Sequence, residues 1–278
     1  MKKKVKWSTF ILLLIFFIGL SVLLYPAIST YWNSLTQSQA VIDYDKMLKS
    51  IPKEDFDKLF AEAEIYNRDL SRLQYPYLEY GKLKGYNDIL NVDGNGMMGY
   101  VTIDKIGVEL PIYHGTSEKV LSIGAGHVAG SSFPSDKTGT HAVLSAHRGL
   151  PTATLFTHLD HVEIGDTFEV TVLDRTITYQ VDQIKTVDPD DMSDVLIDEN
   201  ENYCTLVTCT PYGINTHRLL VRGRQIDASQ EKKLYITSDA HQIDNLIVTP
   251  IVALPILFTL MIVVLVKPVK KDDLGDDL

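Results

Sequence analysis

The sequence lacks an excess of positive charge, and it lacks pairs of metal ligands at metal-binding spacing. Its formal net charge is −10, from 36 acidic and 26 basic residues, which argues against general nucleic-acid binding because that needs a basic face. The two cysteines and eight histidines do not occur at the paired spacing of a zinc site. We therefore expect no bound metal, and no motif in the sequence requires a cofactor.

Cysteine is scarce, with only Cys204 and Cys209 in 278 residues. If residues 203–208 are extended, the two side chains lie about 16 Å apart at roughly 3.3 Å per residue, and they point to opposite faces. A disulfide needs Cα atoms within about 7 Å of each other. The thiols are therefore predicted to stay unpaired, with Cys204 a small buried residue and Cys209 exposed at a strand end.

Two long uncharged runs interrupt a sequence that otherwise mixes charged and apolar residues as soluble proteins do. They extend from Trp7 to Tyr31 and over residues 246–266. Each is long enough to cross a hydrocarbon core, which needs roughly 20 residues. Lysines precede the first run and follow the second, so the positive-inside tendency puts both termini in the cytoplasm and residues 30–245 outside. The alternative for the first run is a cleaved signal peptide. The run is long for that role, and Tyr25-Pro-Ala-Ile-Ser is a poor cleavage site, so an uncleaved anchor is favoured.

Changes of pattern along the chain predict six segments. They are an N-terminal membrane anchor (1–28), an extracellular helical extension (29–96), a β-rich domain (97–226), a polar linker (227–245), a transmembrane helix (246–266) and a cytoplasmic tail (267–278). Apolar residues at helical spacing predict helix through most of 26–73. Residues 74–96 are rich in Gly, Asn and Asp and predict a long loop, and loops of that length are usually functional or disordered.

From Met97 onward the pattern is that of short strands punctuated by Gly, Pro and Asp. Eight strands are predicted, at 99–103, 108–113, 141–146, 167–173, 176–181, 183–187, 203–208 and 217–222. Asp174 and Arg175 suit a tight hairpin between two of them. Eight short strands with little helix between them predict a mainly β domain, either a closed barrel or a sandwich.

The candidate reactive group is the thiol of Cys209, which lies where a predicted strand meets a turn. Three residues supply the turn chemistry: Pro211, Gly213 and Asn215. A thiol outside the cell needs positive surroundings to act as a thiolate, and Arg218 opens the next strand nine residues later. His147 is the best proton partner, because it ends an apolar strand and begins a loop, where rigid scaffolds often present catalytic groups.

The remaining histidines and arginines have weaker claims to a role in chemistry. Three histidines are predicted to be solvated or hydrogen-bonded rings: His158, His161 and His241. Two lie in glycine-flanked loops, where structural and site-lining roles both stay open: His114 and His127. Three arginines are predicted to be solvated or structural: Arg148, Arg222 and Arg224.

Three segments carry a resemblance to a known family. They are 145–151 (SAHRGLP), 205–218 (TLVTCTPYGINTHR) and 110–117 (LPIYHGTS). Together they resemble the sortases, and most of all the class C, pilin-polymerising subfamily, over about residues 60–266. The resemblance implies an eight-stranded sortase-type β-barrel outside a Gram-positive cell, with an N-terminal helical extension and two flanking transmembrane helices.

The resemblance also implies the chemistry. Cys209 would be the nucleophile, His147 the general acid/base and Arg218 the charge stabiliser in transpeptidation at an LPXTG-like sorting signal. A thioester acyl-enzyme would form, and a lysine amine of another pilin subunit or a cell-wall peptide amine would resolve it. Two alternatives stay open: a housekeeping or accessory sortase that anchors surface proteins to the wall, and an inactive tethered module that only binds sorting signals. Hydrolysis of the thioester by water, as a side activity, also stays open.

One departure from the class C pattern concerns the lid. Members of that subfamily usually carry an Asp-Pro-aromatic motif before the barrel that covers the cleft, and this segment has none. The only Asp-Pro is Asp188-Pro189, inside the barrel region. Tyr75-Pro-Tyr77 could serve as a divergent plug, and an ordinary loop is an equal expectation, so the sequence leaves open whether 74–96 covers the site.

Overall fold

The structure is a computed structural model that describes residues 7–227 and 255–259. Among the described residues, 30–227 belong to one compact unit and 7–29 to another. The predicted linker (227–245), second membrane span (246–266) and cytoplasmic tail (267–278) lie outside the described residues, apart from Asp227 and a helical piece at 255–259. Those segments remain predictions.

Four α-helices occur within residues 7–227: α1 (Trp7–Leu48), α2 (Lys53–Ser71), α3 (Pro76–Glu79) and α4 (Glu118–Leu121). The helix predicted within 26–73 is confirmed, with a break at Pro52, which lies at the N-cap of α2. The side chain of Asn67 on α2 donates to the carbonyl of Phe133 (2.9 Å) and accepts from its N–H (2.8 Å). This paired contact joins α2 to the barrel described below.

The first predicted membrane segment is helical and apolar. The most apolar window of α1 has a mean hydropathy of 2.7 and is not buried by the rest of the protein, so by length and composition it could cross a bilayer. Further along α1, Val41 and Tyr44 are buried. The Tyr44 hydroxyl donates to the carbonyl of Met98 (2.9 Å) and accepts from the N–H of Leu173 (3.0 Å). The C-terminal half of α1 is therefore part of the folded domain.

Eight strands form a closed barrel. They are β1 (Met97–Ile103), β2 (Val108–His114), β3 (Ala125–His127), β4 (Thr140–Ser145), β5 (Thr167–Val172), β6 (Arg175–Val187), β7 (Asn202–Thr210) and β8 (His217–Gln225). Their order around the barrel is β1-β2-β3-β4-β7-β8-β6-β5. Of the two predicted architectures, a closed barrel and a sandwich, the structure has the closed barrel. The predicted hairpin between β5 and β6 is present, but its turn is one residue earlier than predicted: it consists of Leu173 (φ 51°) and Asp174, and Arg175 already pairs with Val172.

Two of the predicted strands were wrong in detail. Segments 176–181 and 183–187 are one strand, β6, whose register shifts between Val181 and Gln183. Asp182 is the extra residue there, and its carboxylate receives two hydrogen bonds of 2.9 Å from the Arg222 guanidinium. The sequence also missed β3, because its three residues, Ala-Gly-His, carry no apolar alternation and depend on pairing with β2 and β4.

Alternate residues of β7 enter two different apolar clusters. Cys204 and Leu206 are fully buried in the main core. Val207 packs in a smaller cluster with Val143, Val195 and Leu220. Because side chains alternate along a strand, the smaller cluster lies on the opposite face of the sheet from Cys204 and Leu206. That face forms the cleft described next.

Candidate active site

The barrel places His147 beside Cys209. Strands β4 and β7 are parallel neighbours, and their last paired residues are Ser145 and Val207. The N–H of Ala146 donates to the carbonyl of Val207 at 3.1 Å, so the pairing extends one residue beyond β4. The same register continued by one more residue brings His147 next to Cys209. Neighbouring strands lie about 4.8 Å apart, so the two residues are side by side at the ends of their strands.

Arg218 lies on the other side of Cys209. Strands β7 and β8 are antiparallel neighbours, and Cys209 pairs directly with Arg218. Directly opposed residues in such a pair project from the same face of the sheet. The predicted turn between the strands is confirmed, since Gly213 (φ 75°) and Asn215 (φ 60°) take the left-handed conformation that such residues favour. The order across the sheet is therefore His147, Cys209, Arg218.

All three predicted site residues line one cavity of about 350 Å³. Its wall is mainly apolar and is supplied by the smaller cluster, with the residues Val143, Val187, Val195, Val207 and Leu220. A mostly apolar cavity with a few convergent polar groups is the usual form of a ligand site. The sequence did not predict these wall residues, because as single valines and leucines in strands they resemble core residues.

The charged groups at the cleft differ in how they are paired. Within the described part of the chain Arg218 has no carboxylate partner, and its Nη1 donates to the carbonyl of His217 at 3.1 Å. His147, whose side chain is 25% exposed, meets the carboxylate of Glu118 through Nε2 at 3.3 Å. Glu118 itself is 81% exposed, so solvent screens this ion pair and it contributes at most about 1 kcal/mol. The sequence did not single out Glu118.

Tyr77 also lines the cleft, and this answers the question left open for residues 74–96. Its hydroxyl donates to the carbonyl of Val195 at 2.8 Å, and its ring packs on the smaller apolar cluster. Burial raises the pKa of Tyr77. The backbone of Tyr77 can pack closely on residue 130 because that residue is glycine: a Cβ at Gly130 would lie 2.7 Å from the Tyr77 Cα. Through Tyr77 this segment thus forms part of the cleft wall, although it lacks an Asp-Pro-aromatic motif.

The two cysteines lie on opposite faces, as strand alternation predicts. Cys204 is fully buried in the main core, and burial raises the pKa of its thiol. Cys209 is partly exposed in the cleft, and both thiols are free. A buried thiol is held in its neutral form and does not react, so Cys209 is the accessible thiol of the pair.

Three histidines outside the cleft are held by hydrogen bonds within the folded domain: His114, His127 and His141. Burial lowers the pKa of His127 and that of His141 to about 4, so both rings stay neutral. His127 lies next to the Tyr86 hydroxyl and the carbonyl of Ser132, and both ring nitrogens of His114 contact backbone carbonyls. The structural role therefore holds for His114 and His127. His158 and His161 stack on each other away from the cavity lining, and His241 lies outside the described residues.

Within residues 7–227 and 255–259, no group of three or more His, Cys, Asp or Glu side chains is placed to hold a metal ion. The polar side chains that line the mainly apolar cleft include a thiol, an imidazole and a guanidinium, together with the Asp191 carboxylate and several hydroxyls. Such a set can deliver a nucleophile, exchange a proton and meet developing negative charge.

Comparison with known proteins agrees with this arrangement. A sortase-domain family model matches residues 101–226. The chain is 45% identical to sortase C1 from Streptococcus agalactiae, with a TM-score of 0.62 over 68% of this chain and 98% of that one. It is 39% identical to Clostridium perfringens sortase C, solved with the C-terminal cell wall sorting motif, with a TM-score of 0.61 over 68% of this chain and 99% of that one.

A curated relative is more distant. Sortase D of Bacillus subtilis (strain 168) is 33% identical over 131 residues, or 46% of this chain. The match spans 63% of the length of that relative.

Proposed function

Because this chain belongs to the sortase family, and its solved neighbours are class C sortases, we propose that it is a membrane-tethered cysteine transpeptidase that joins pilin subunits. The observation that carries the proposal is that Cys209 and Arg218, directly opposed on β7 and β8, line one largely apolar cavity together with His147, which lies just beyond the end of β4. The substrate is a protein with a C-terminal signal of the LPXTG type.

The proposed reaction has two acyl-transfer steps. The Cys209 thiolate attacks the threonine carbonyl of the signal, and the bond to glycine breaks to leave a thioester on Cys209. His147 gives a proton to the leaving glycine amine and then takes one from the incoming ammonium. A lysine amine of another pilin subunit attacks the thioester, which forms an isopeptide bond and frees the thiol. Two such steps replace one difficult acyl transfer.

Arg218 is assigned to charge stabilisation. Each tetrahedral intermediate carries negative charge on the former carbonyl oxygen. A guanidinium without a carboxylate partner in the described chain, directly across the strand pair from Cys209, is free to meet that charge. Such a donor contributes about 3 kcal/mol to the transition state.

The proposed location follows from the apolar helix and the charge pattern. The N-terminal part of α1 anchors the chain in the cell membrane, the second apolar run (246–266) crosses it again, and both termini are cytoplasmic. The barrel then faces outside, where pilin and surface-protein substrates and cell-wall peptides occur.

A housekeeping or accessory sortase would use the same three residues with a cell-wall peptide as acceptor. The experiment that separates the two offers the full-length enzyme an LPXTG-type substrate together with equal concentrations of a lysine-bearing pilin domain and a cell-wall peptide. The products are then identified by mass spectrometry. Pilin polymerisation predicts isopeptide bonds to the pilin lysine. Products joined only to the wall peptide would support the housekeeping role, and no covalent product at all would support the inactive binding module.

A further inference from the structure

Arg148 follows His147 in the chain, and its environment differs from the solvated or ordinary structural role predicted for it. Only 9% of its side chain is exposed. It contacts three residues from outside its own loop, and its Nε atom is buried without a hydrogen-bond partner in the part of the chain that the structure describes. A buried, incompletely satisfied guanidinium costs free energy, so a contribution to global stability does not by itself explain an arginine at this position.

We propose that Arg148 is a positioning residue, whose guanidinium holds the loop that carries His147 against the strand end that carries Cys209. The proposal rests on the proposed function, because it takes those two residues to be the acid/base and the nucleophile. We call the set Arg148, Asp160, Thr210 and Tyr212 the guanidinium bridge.

The contacts of the bridge span the two halves of the site. Nη1 of Arg148 donates to the hydroxyl of Thr210 at 3.3 Å, and Thr210 is the residue directly after Cys209. The guanidinium carbon lies 5.9 Å from the ring centre of Tyr212, two residues further along the same chain. Nη2 donates to the Asp160 carboxylate, which holds the guanidinium from the side away from β7. One planar group therefore joins residue 148 to the turn after Cys209.

Gly149 brings the loop close enough for these contacts. Its φ is +78°, and a Cβ there would lie 3.0 Å from the ring of Tyr212, so the backbone itself packs on the ring. The loop is closed behind it by two hydrogen bonds, from the N–H of Phe156 to the carbonyl of His147 (3.1 Å) and from the N–H of Gly149 to the hydroxyl of Thr157 (3.2 Å).

Backbone pairing alone does not fix the His147 side chain. The hydrogen bond from the Thr208 hydroxyl to the carbonyl of Ala146 (2.8 Å) is the last contact between β7 and the β4 side before the two active residues. The Glu118 carboxylate that contacts His147 is mostly exposed, so it holds the ring only weakly. The next contacts between the loop after β4 and the end of β7 are those of the guanidinium bridge. Loss of a contact that displaces a catalytic group by about 1 Å can lower the rate about 100-fold.

The test compares Arg148→Met with Arg175→Met in the full-length, detergent-solubilised enzyme. Arg175 is a matched control, because it also lies over an aromatic ring (Phe60, 3.9 Å) and pairs with two carboxylates, away from the cleft. The readouts are kcat and KM for cleavage of an LPXTG-type peptide. We expect Arg148→Met to lower kcat about 10- to 100-fold with KM within about twofold, and Arg175→Met to leave both unchanged. An unchanged kcat in Arg148→Met would overturn the proposal.

A double-mutant cycle separates positioning from a general loss of folded enzyme. If Arg148 acts through His147, Arg148→Met causes no further loss in a His147→Ala background, measured as single-turnover thioester formation. An equal fold-loss in both backgrounds would overturn the proposal. Should Arg148→Met fail to fold, Thr210→Val removes one contact of the bridge, and the same non-additivity with His147→Ala is required.

Amide hydrogen exchange tests the guanidinium bridge without depending on enzymatic activity, so its outcome is independent of the proposed function. Arg148→Met should speed amide hydrogen exchange over residues 147–157 at least tenfold, while Arg175→Met leaves that loop unchanged. If the wild-type enzyme formed no thioester, the proposed function would fail, whereas unchanged exchange in the loop would defeat the bridge alone.

Discussion

Cys209 and Arg218 are directly opposed across the antiparallel pair of β7 and β8, at the end of the barrel where a six-residue turn joins the two strands. The cross-strand position gives the thiol a permanent positive neighbour without any change of backbone conformation. Because Arg218 has no carboxylate partner in the described chain, its charge is not already neutralised. This relationship explains why a nine-residue spacing in sequence brings the two groups together.

The first prediction concerns Arg218. Arg218→Ala removes a donor that acts on charge formed during the reaction, so we expect kcat for sorting-signal cleavage to fall about 100-fold, corresponding to about 3 kcal/mol. The melting temperature should change little, because the head group bonds only to nearby backbone carbonyls. Arg224→Ala is the matched control on the same strand, since Arg224 is 53% exposed and pairs with Asp182 and Glu201. Equal rate losses in the two variants would argue against the assigned role of Arg218.

The second prediction concerns access to Cys209. Tyr77 lines the cleft and is held by one hydrogen bond to Val195, which contributes about 1 kcal/mol. Tyr77→Phe should therefore raise the alkylation rate of Cys209 about fivefold, and Tyr77→Ala should raise it further because the ring contacts are also lost. Alkylation reports Cys209 alone, since Cys204 is fully buried.

Tyr75→Ala is the matched control for this experiment, because the Tyr75 side chain belongs to the same segment but is 56% exposed. Its alkylation rate should equal that of the wild type. If Tyr77→Ala also left the rate unchanged, the segment would not limit access to the thiol.

The third prediction concerns acid stability. Burial lowers the pKa of His127 and of His141 from 6.5 to about 4, so between these values the unfolded chain binds protons that the folded chain does not. The free energy of unfolding should therefore be highest above pH 6.5 and fall as the pH drops toward 4, by roughly 3 kcal/mol per histidine. Carboxylates with lowered pKa, such as Asp194, act at lower pH.

Denaturant unfolding of His141→Gln across pH 4 to 7 checks this prediction. The amide can keep a hydrogen bond to the carbonyl of Leu196 or to Thr205, but it does not titrate, so the dependence on pH should be weaker than in the wild type. His161→Gln, at an exposed position, is the control. A pH dependence that is the same in His141→Gln and wild type would show that burial of this ring does not govern acid stability.

Local features of the sequence predicted the parts of the site that depend on neighbouring residues. Alternation along 203–208 separated Cys204 from Cys209, and Gly213 and Asn215 gave the turn that aligns Arg218. The strand-to-loop change at His147 marked that residue as well, but only the parallel pairing of β4 with β7 shows that it reaches Cys209. That pairing joins segments 62 residues apart, as the partners Ser145 and Val207 show, and no local pattern encodes it.

The features that the sequence missed all depend on distant partners. Strand β3 exists because β2 and β4 supply its hydrogen bonds. Arg148 looked like a surface residue, because its partner Thr210 is 62 positions away. The position of Tyr77 depends on Gly130, whose missing side chain leaves the space for it. The family resemblance implied the barrel and the roles of Cys209, His147 and Arg218. It implied neither the pairing of β3 nor the contacts of Arg148 and Tyr77.

A thioester between Cys209 and the sorting signal can be trapped and located by mass spectrometry of the digested protein. The full-length enzyme is mixed with an LPXTG-type peptide in the absence of an amine acceptor, quenched in acid and digested. We expect an acyl adduct on the peptide that contains Cys209, and hydroxylamine should release it. The adduct should be absent from Cys209→Ala and strongly reduced in His147→Ala. Cleavage of the signal by Cys209→Ala at the wild-type rate, or a wild-type adduct on any other residue, would contradict this expectation.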